Sequence, residues 1–333
     1  MAGRTKESDT GYRRVVELDT LDLSIVDGLR LDGRVAFSTL AEVLGVSDQT
    51  VARRYRRMRA EAGLRVAGLP DGPRLGYDMW LIRLQTTPDA AATVAEALAR
   101  RPDTTWVTLA SGGTEVTCVV QNPGTADRES LLLQKLPRTP RLVSVRAHCL
   151  MHLFAGGAEG DTRTTRLSAE QTGALRPPAP DPGAVPAIAG ADGPLLAALS
   201  RDGRLGYPQL AAATGWSESA VRRRLEHLRG TGSIFFDVEV EPTAFGYNAR
   251  FLLWLSVAPA HLEAVGRAMA EHPEVVFAAA TTGETNLVAT VICRDMAGLY
   301  EYVTHRVGPL PGVDRLESAP SLRHVKQVGA LLP

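Results

Sequence analysis

Cysteine is scarce in this chain. The 333 residues hold three, Cys118, Cys149 and Cys293, and no CxxC pair. That spacing excludes a disulfide framework and a cysteine-built zinc site, so each thiol reads as a small buried hydrophobe and no metal or cofactor is expected. Neither sign of charge is in excess: 37 basic residues stand against 37 acidic ones. Any basic surface must be local and balanced elsewhere. Lysine is nearly missing, with only Lys6, Lys135 and Lys326 among the basic residues. There is no run of about 18 apolar residues, so no membrane span and no membrane partner are expected. Residues 1–14, MAGRTKESDTGYRR, are polar, so no signal peptide is expected and the reading is cytoplasmic. Hydrophobic residues at 44% and charged residues at 22% fit a globular chain. Its length suits two or three domains or a duplicated pair.

What the chain does have is an internal repeat. Asp32-Gly33-Arg34 returns as Asp202-Gly203-Arg204, an offset of 170. The same offset pairs Leu40-Ala41 with Leu210-Ala211, Gly45 with Gly215, Ser47 with Ser217, Val51 with Val221 and Arg53-Arg54 with Arg223-Arg224. Leu75-Gly76-Tyr77 matches Phe245-Gly246-Tyr247. An offset of 171 then pairs Pro102 with Pro273, Trp106 with Phe277, Gly112 with Gly283, Thr114 with Thr285 and Pro140 with Pro311. Residues 155–190 separate the copies and are rich in Gly and Pro, so they read as an extended, semi-rigid linker that buries little.

Each copy opens with helical periodicity. Residues 19–32 carry Leu21, Ile25, Val26 and Leu29; residues 37–44 carry Phe37, Leu40, Ala41 and Leu44. Gly45-Val46 is a tight turn, and Ser47 caps a third helix bearing Val51, Tyr55 and Met58. Three helices with this turn describe a helix-turn-helix unit over 16–68, repeated over 191–240. From Ser47 to Arg65 the local charge is about +4 in a neutral protein. Arginine suits bidentate contacts with guanine or phosphate. Gln49, Thr50 and Arg53 lie at the part of the helix that meets base edges; Ser47, Arg54, Arg56 and Arg57 complete the candidate DNA-binding set. The second copy is less basic. Its counterparts are Ser217, Ser219, Arg222, Arg223, Arg224 and His227, with Glu226 where the first copy has Arg56.

The remainder of each copy, 75–154 and 245–330, alternates strand and helix. The first reads as strand 79–85, helix 89–101, strand 104–110, strand 115–120, helix 125–136 and strand 141–151. The second reads as 249–257, 260–272, 275–281, 286–292, 295–306 and 313–320. The order βαββαβ is ferredoxin-like. One sheet face stays open and must be covered, most simply by another copy in the same chain or a second one. The fold class expected is therefore α+β, a winged or trihelical helix-turn-helix plus a ferredoxin-like domain, the pair repeated twice. His148 and His152 fall on one strand face about 13 Å apart, too far for one metal, and no GxSxG, Walker A or HExxH pattern is present.

In this order the pieces resemble the Lrp/AsnC (feast/famine) family of bacterial and archaeal transcription regulators. The residues that carry the resemblance are Leu18-Asp19-Thr20-Leu21-Asp22 with Ile25, Gly45-Val46-Ser47, Val51 with Arg53-Arg54 and Met58, Leu75-Gly76-Tyr77, and Gly112-Gly113-Thr114-Glu115. The resemblance implies a sequence-specific regulator of double-stranded DNA, self-association through the sheet domains, and a small effector, often an amino acid, near the sheet contact. Mapped onto this sequence, the effector turns are Ser111, Gly112, Gly113, Thr114 and Glu115, and Thr282, Gly283, Glu284, Thr285 and Asn286. The family's Asp is Glu115 in one copy and Asn286 in the other, and a tandem fusion departs from its usual single unit. The same fold also includes sirohaem decarboxylases, which use His and Arg near the Leu-Gly-Tyr position. Residues 71–74 and 241–244 hold no histidine, so the expectation is that the chain is not an enzyme. A sensor without DNA binding is the other alternative.

Overall fold

A computed structural model describes residues 18–101, 103–122, 136, 139, 141–159, 165–327 and 330–331. The expected helix 125–136 and the repeat positions Pro102 and Pro140 lie outside those residues, Leu136 apart. The chain folds as two helix-turn-helix heads joined by their wings, set on a closed sheet.

In the first head, α1 (Thr20–Leu31), α2 (Phe37–Leu44) and α3 (Asp48–Glu61) form where the periodicity places them. Asp19 caps α1 in a reciprocal capping box with Asp22. Gly45 ends α2 at φ 66°, the left-handed region that glycine enters without strain. Ser47 caps α3 through the Thr50 amide. Ile25, Leu29, Leu40, Val51 and Met58 are fully buried between these helices, each stabilising the head by about 1.5–3 kcal/mol. In the second head α6 (Gly193–Arg201), α7 (Tyr207–Thr214) and α8 (Glu218–Gly230) repeat the arrangement around Leu195, Leu199, Leu210 and Val221.

Two strands not anticipated from the sequence, β1 (Arg65–Pro70) and β6 (Ile234–Glu239), follow the heads and pair antiparallel, Arg65 opposite Glu239. They join the heads wing to wing. The linker also differs from expectation. Within it α5 (Ala169–Leu175) docks on the first head, burying Leu167 and Leu175, and Gln171 donates to the Val43 carbonyl at 3.0 Å. Its start is a Ser168–Gln171 capping box. The Pro-rich half, 176–189, carries no helix or strand.

The sheet strands are β2 (Asp78–Thr86), β3 (Thr104–Ala110), β4 (Glu115–Asn122), β5 (Leu142–Ala155), β7 (Ala249–Val257), β8 (Val275–Thr281), β9 (Leu287–Cys293) and β10 (Val313–Gln327). α4 (Ala91–Ala99) covers the first sheet and α9 (Leu262–Ala270) the second, while α10 (Met296–Glu301) runs into a π-turn over Tyr302–Val307. β5 and β10 outrun their expected ends because each is shared. β5 pairs with β2 up to Cys149 and with β8 from Leu150. β10 pairs with β7 up to Pro320 and with β3 from Ser321. Eight strands thereby close on themselves, in the order β10-β3-β4-β2-β5-β8-β9-β7 and back to β10. The two open faces cover each other within one chain, around Leu81, Val119, Leu252, Trp254 and Val288.

Candidate functional site

Two places bring chemistry together: the outward face of α3, and a cavity between the second wing and the closed sheet.

On α3, Gln49, Arg53 and Arg56 are exposed, and among the described residues neither arginine is in an ion pair. Arg56 Nε donates to its own helix at the Ala52 carbonyl, 3.1 Å. Ser47 and Thr50 share a hydroxyl contact at 3.0 Å at the helix start. Arg54 and Arg57 are spent inside the head. Arg54 donates to Asp19 Oδ2 at 2.5 Å and Asp22 Oδ1 at 3.0 Å, and Arg57 pairs with Asp22 Oδ2. Asp22 is fully buried, so these bonds fix the tilt of α3 on α1. Arg54 and Arg57, both expected in the DNA-binding set, are held by this fold contact. Hydrogen bonding to Arg54 also holds the Asp19 carboxyl at about 2. On α8, Ser219, Arg223 and His227 are exposed, with Ser217 capping the helix. Arg224 is tied to Asp192 at 2.5 and 2.8 Å, and Arg222 lies over the Tyr207 ring, 4.5 Å from its centre.

The heads grip each other through the repeated motif itself. Arg34 donates to the carbonyls of Gly203 and Leu205, and Arg204 to those of Gly33 and Val35 at 2.6 and 2.9 Å. Arg59 pairs with Asp202 at 3.0 Å and Arg229 with Asp32 at 2.9 Å.

The expected effector turns are largely engaged by the fold. Glu115 is buried and pairs with Arg83 at 2.8 Å, which also grips Glu317. Glu115, expected in an effector turn, is therefore already engaged by the fold. The Asn286 amide bridges both backbone groups of Val257 at 2.8 Å. Thr282 binds the Cys149 amide through its hydroxyl, its carbonyl accepts from His148 Nδ1 at 2.7 Å, and Thr285 accepts from Thr281. A side chain at Gly283 would collide with the His148 ring. Ser111, Gly112, Gly113 and Thr114 form one short, partly exposed turn, and Glu284 is exposed. His152 lies on Phe154.

The cavity, about 290 Å³, was not foreseen. Trp106, Leu252 and Phe277 form much of its sheet side, Asp237 and Glu239 come from β6, and Arg30 from α1. Arg250 and His324 meet in its wall. Arg250 Nη1 lies 2.8 Å from His324 Nε2 and donates to it, so the other ring nitrogen carries the proton and donates to Thr108 Oγ1 at 2.9 Å. Burial, helped by Arg250, pushes His324 down to about 3. Burial and the neighbouring Asp237 push Glu239 up to about 8, against the pull of Arg65 and Arg250. The one sequence signal was the alternation Asp237, Glu239, Glu241 with Val238 and Val240. It places the carboxyls on one strand face.

The comparisons agree with this geometry. A model of the AsnC-type helix-turn-helix domain matches residues 18–59 and 191–229, and one of the Lrp/AsnC ligand binding domain matches residues 250–331. The chain belongs to the Lrp/AsnC family. This Lrp/AsnC chain is 30% identical over 135 residues to an uncharacterised HTH-type transcriptional regulator of Pyrococcus furiosus, covering 40% of this chain and 91% of that one. It is 27% identical over 124 residues to the regulator FL11 of Pyrococcus furiosus, covering 37% and 82%. Among solved structures, the sirohaem decarboxylase NirDL is similar over 92% of both chains, with TM-score 0.60 and 14% identity. That likeness is one of fold, and it overturns the expectation that the chain is not an enzyme: a protein with this whole tandem architecture is one. The expectation rested on the lack of histidine in residues 71–74 and 241–244, whereas His324 reaches Arg250 from the far end of the sequence.

Proposed function

We propose that this chain is a DNA-binding transcriptional regulator with two unlike reading heads in one molecule, responsive to a small molecule held at the contact between its halves. The observation that carries the reading is the surface of α3. Arg53 and Arg56 stand exposed and free of carboxylates among the described residues, while Arg54 and Arg57 are bound to α1. A helix that fixes two arginines to its own head and frees two beside Gln49 presents a rigid cationic edge to a major groove. On α8, Arg223, Ser219 and His227 form the second, weaker reader. Paired heads of fixed spacing suit half-sites about 10 bp, or a multiple, apart.

A gel shift with DNA from upstream of the chain's own gene, taken over a range of salt, tests this. Retardation that resists competitor DNA and weakens steeply with salt is expected. No retardation, or none above that of competitor DNA, overturns it.

A second reading is favoured by the Arg250–His324 pair facing the cavity: chemistry on a carboxylated substrate there, in the manner of NirDL, a decarboxylase of sirohaem. Incubation with sirohaem, followed by absorption spectrum and product mass, tests it. An unchanged mass removes it.

A further inference from the structure

The cavity carries a more specific inference, which rests on the regulator reading and names the ligand class. Arg250 is its key group. One guanidinium nitrogen is committed to His324, yet Nε is buried with no hydrogen-bond partner among the described residues. A buried donor left without an acceptor costs about 1–3 kcal/mol. Arg250 also lines the cavity, so its incompletely used guanidinium marks a place for an incoming acceptor. His324 is not that acceptor: its lone pair already serves Arg250, and its N–H serves Thr108. The facing carboxyls do not fill the role either. No ion pair joins Arg250 to Asp237 or Glu239. Asp237 accepts from the Val238 amide, and among the described residues Glu239 has only Arg65, at 3.9 Å.

The charge state follows. Glu239 sits among Asp237 on its own strand, Arg65 on β1, Arg250 on β7 and Glu241. Burial keeps it protonated through neutral pH, and burial raises Asp237 and Asp71 as well. Arg30 and Arg250 are the cationic groups of the lining, and arginine keeps its charge at any working pH. Beside threonine, serine and glutamine side chains, the sheet side offers an apolar and partly flat patch, with Trp106 and Phe277 packed on the same inter-sheet core as Leu252. A guanidinium fork beside apolar planes accepts one kind of molecule best: an anionic head on a flat hydrophobic body.

We propose that this cavity binds a small planar carboxylate, its head on Arg250 and its body against Trp106, Leu252 and Phe277. The walls come from both the second wing and the sheet, so an occupant ties a reading head to the closed sheet. That location differs from the glycine turns, whose polar groups the fold has largely used.

Calorimetric titration of the full chain at neutral pH tests this with indole-3-acetate, phenylacetate and benzoate. Indole-3-acetamide and tryptamine are the neutral and cationic counterparts. At least one acid is expected to bind, with the amide about tenfold or more weaker, as loss of a charge-assisted bond requires, and the amine weaker still. Arg250→Gln should lower the acid's affinity by a similar factor, and Arg250→Lys by less. The charge comparison uses the unaltered chain, so it decides the matter even where a variant fails to fold. Amide or amine binding as tightly as the acid overturns the proposal. So does no binding by any of the three acids at millimolar concentration, or unchanged affinity in folded Arg250→Gln. A parallel gel shift separates the two readings. DNA binding without acid binding removes the cavity proposal alone, and acid binding without DNA binding removes the regulator reading alone.

Discussion

Replacing Asp22 with Asn should loosen α3 far more than the matching change in the second head. Asp22 is fully buried on α1 and accepts from three donors: Arg54, Arg57 and the Asp19 amide. Its counterpart Asp192 has one arginine, Arg224, and the Ala189 amide. Removing one side of a buried pair costs about 3–5 kcal/mol. The arginine side chains keep 22% and 40% exposure, so they recover part of their hydration. The amide also retains one acceptor, which puts Asp22→Asn at about 3 kcal/mol. At about 1.4 kcal/mol per decade, amides of α3 should exchange with deuterium roughly 100-fold faster by local opening. Asp192→Asn breaks one arginine pair in place of two, so α8 should speed up by about tenfold. Peptide-resolved exchange on both variants reads the two heads in one experiment. Equal acceleration of both helices, or none in α3, would refute the argument that Asp22 sets the pose of the reading helix.

Three further outcomes follow from the same geometry. Arg53→Ala should relax base preference at one operator position, whereas Arg56→Ala should weaken all sequences alike and lower the salt slope by about one; binding-site selection and salt titration separate them. Gly266→Ala should cost about 1–2 kcal/mol despite better helix propensity, because the new methyl lands on the Phe154 ring; Phe154→Leu in the same chain should recover most of the loss in urea melts. Glu239 holds a proton up to about 8 when folded against 4.5 as its ordinary value. The unfolded chain releases that proton first, so its contribution to stability shrinks as pH rises from about 4.5 to about 8 and levels off above that. Glu239→Gln should flatten that fall in the urea midpoint.

Local pattern revealed the heads and not the joints. The periodicity of Leu21, Ile25 and Leu29, the Gly45 turn and the Ser47 cap act within a few residues, so α1 to α3 were legible. The wings were not, because β1 and β6 exist only by pairing with each other across some 170 residues. The far halves of β5 and β10 were hidden for the same reason. Ser321 to Lys326 is a polar stretch with no strand signal of its own, and it becomes a strand only by lying along β3. The α5 helix had a readable cap in Ser168 and Gln171, outweighed by the prolines beside it. In the candidate site, helical spacing placed Gln49, Arg53 and Arg56 on the outward face of α3 but could not tell free arginines from paired ones. Arg54 and Arg57 find Asp22 because α1 crosses α3 there, which is tertiary information. The cavity was least legible of all. Arg250 and His324 are 74 positions apart and meet across neighbouring parts of a closed sheet.

The motif that first betrayed the duplication turns out to hold the halves together. Asp32-Gly33-Arg34 and Asp202-Gly203-Arg204 are the loops through which each arginine binds the other's carbonyls. Two copies that meet about a local two-fold need the same residue on both sides of the joint, since each arginine is donor to one loop while its own loop is acceptor. The rest of each head is released from that requirement. Glu226 can stand where the other copy has Arg56, and Asp192 can keep one arginine where Asp22 keeps two. Shared strands β5 and β10 impose a similar bond on the sheet halves, whose faces are closed against each other. A chain built this way holds two reading surfaces at one spacing while their chemistry differs, and a pair of identical subunits on a two-fold axis cannot do that.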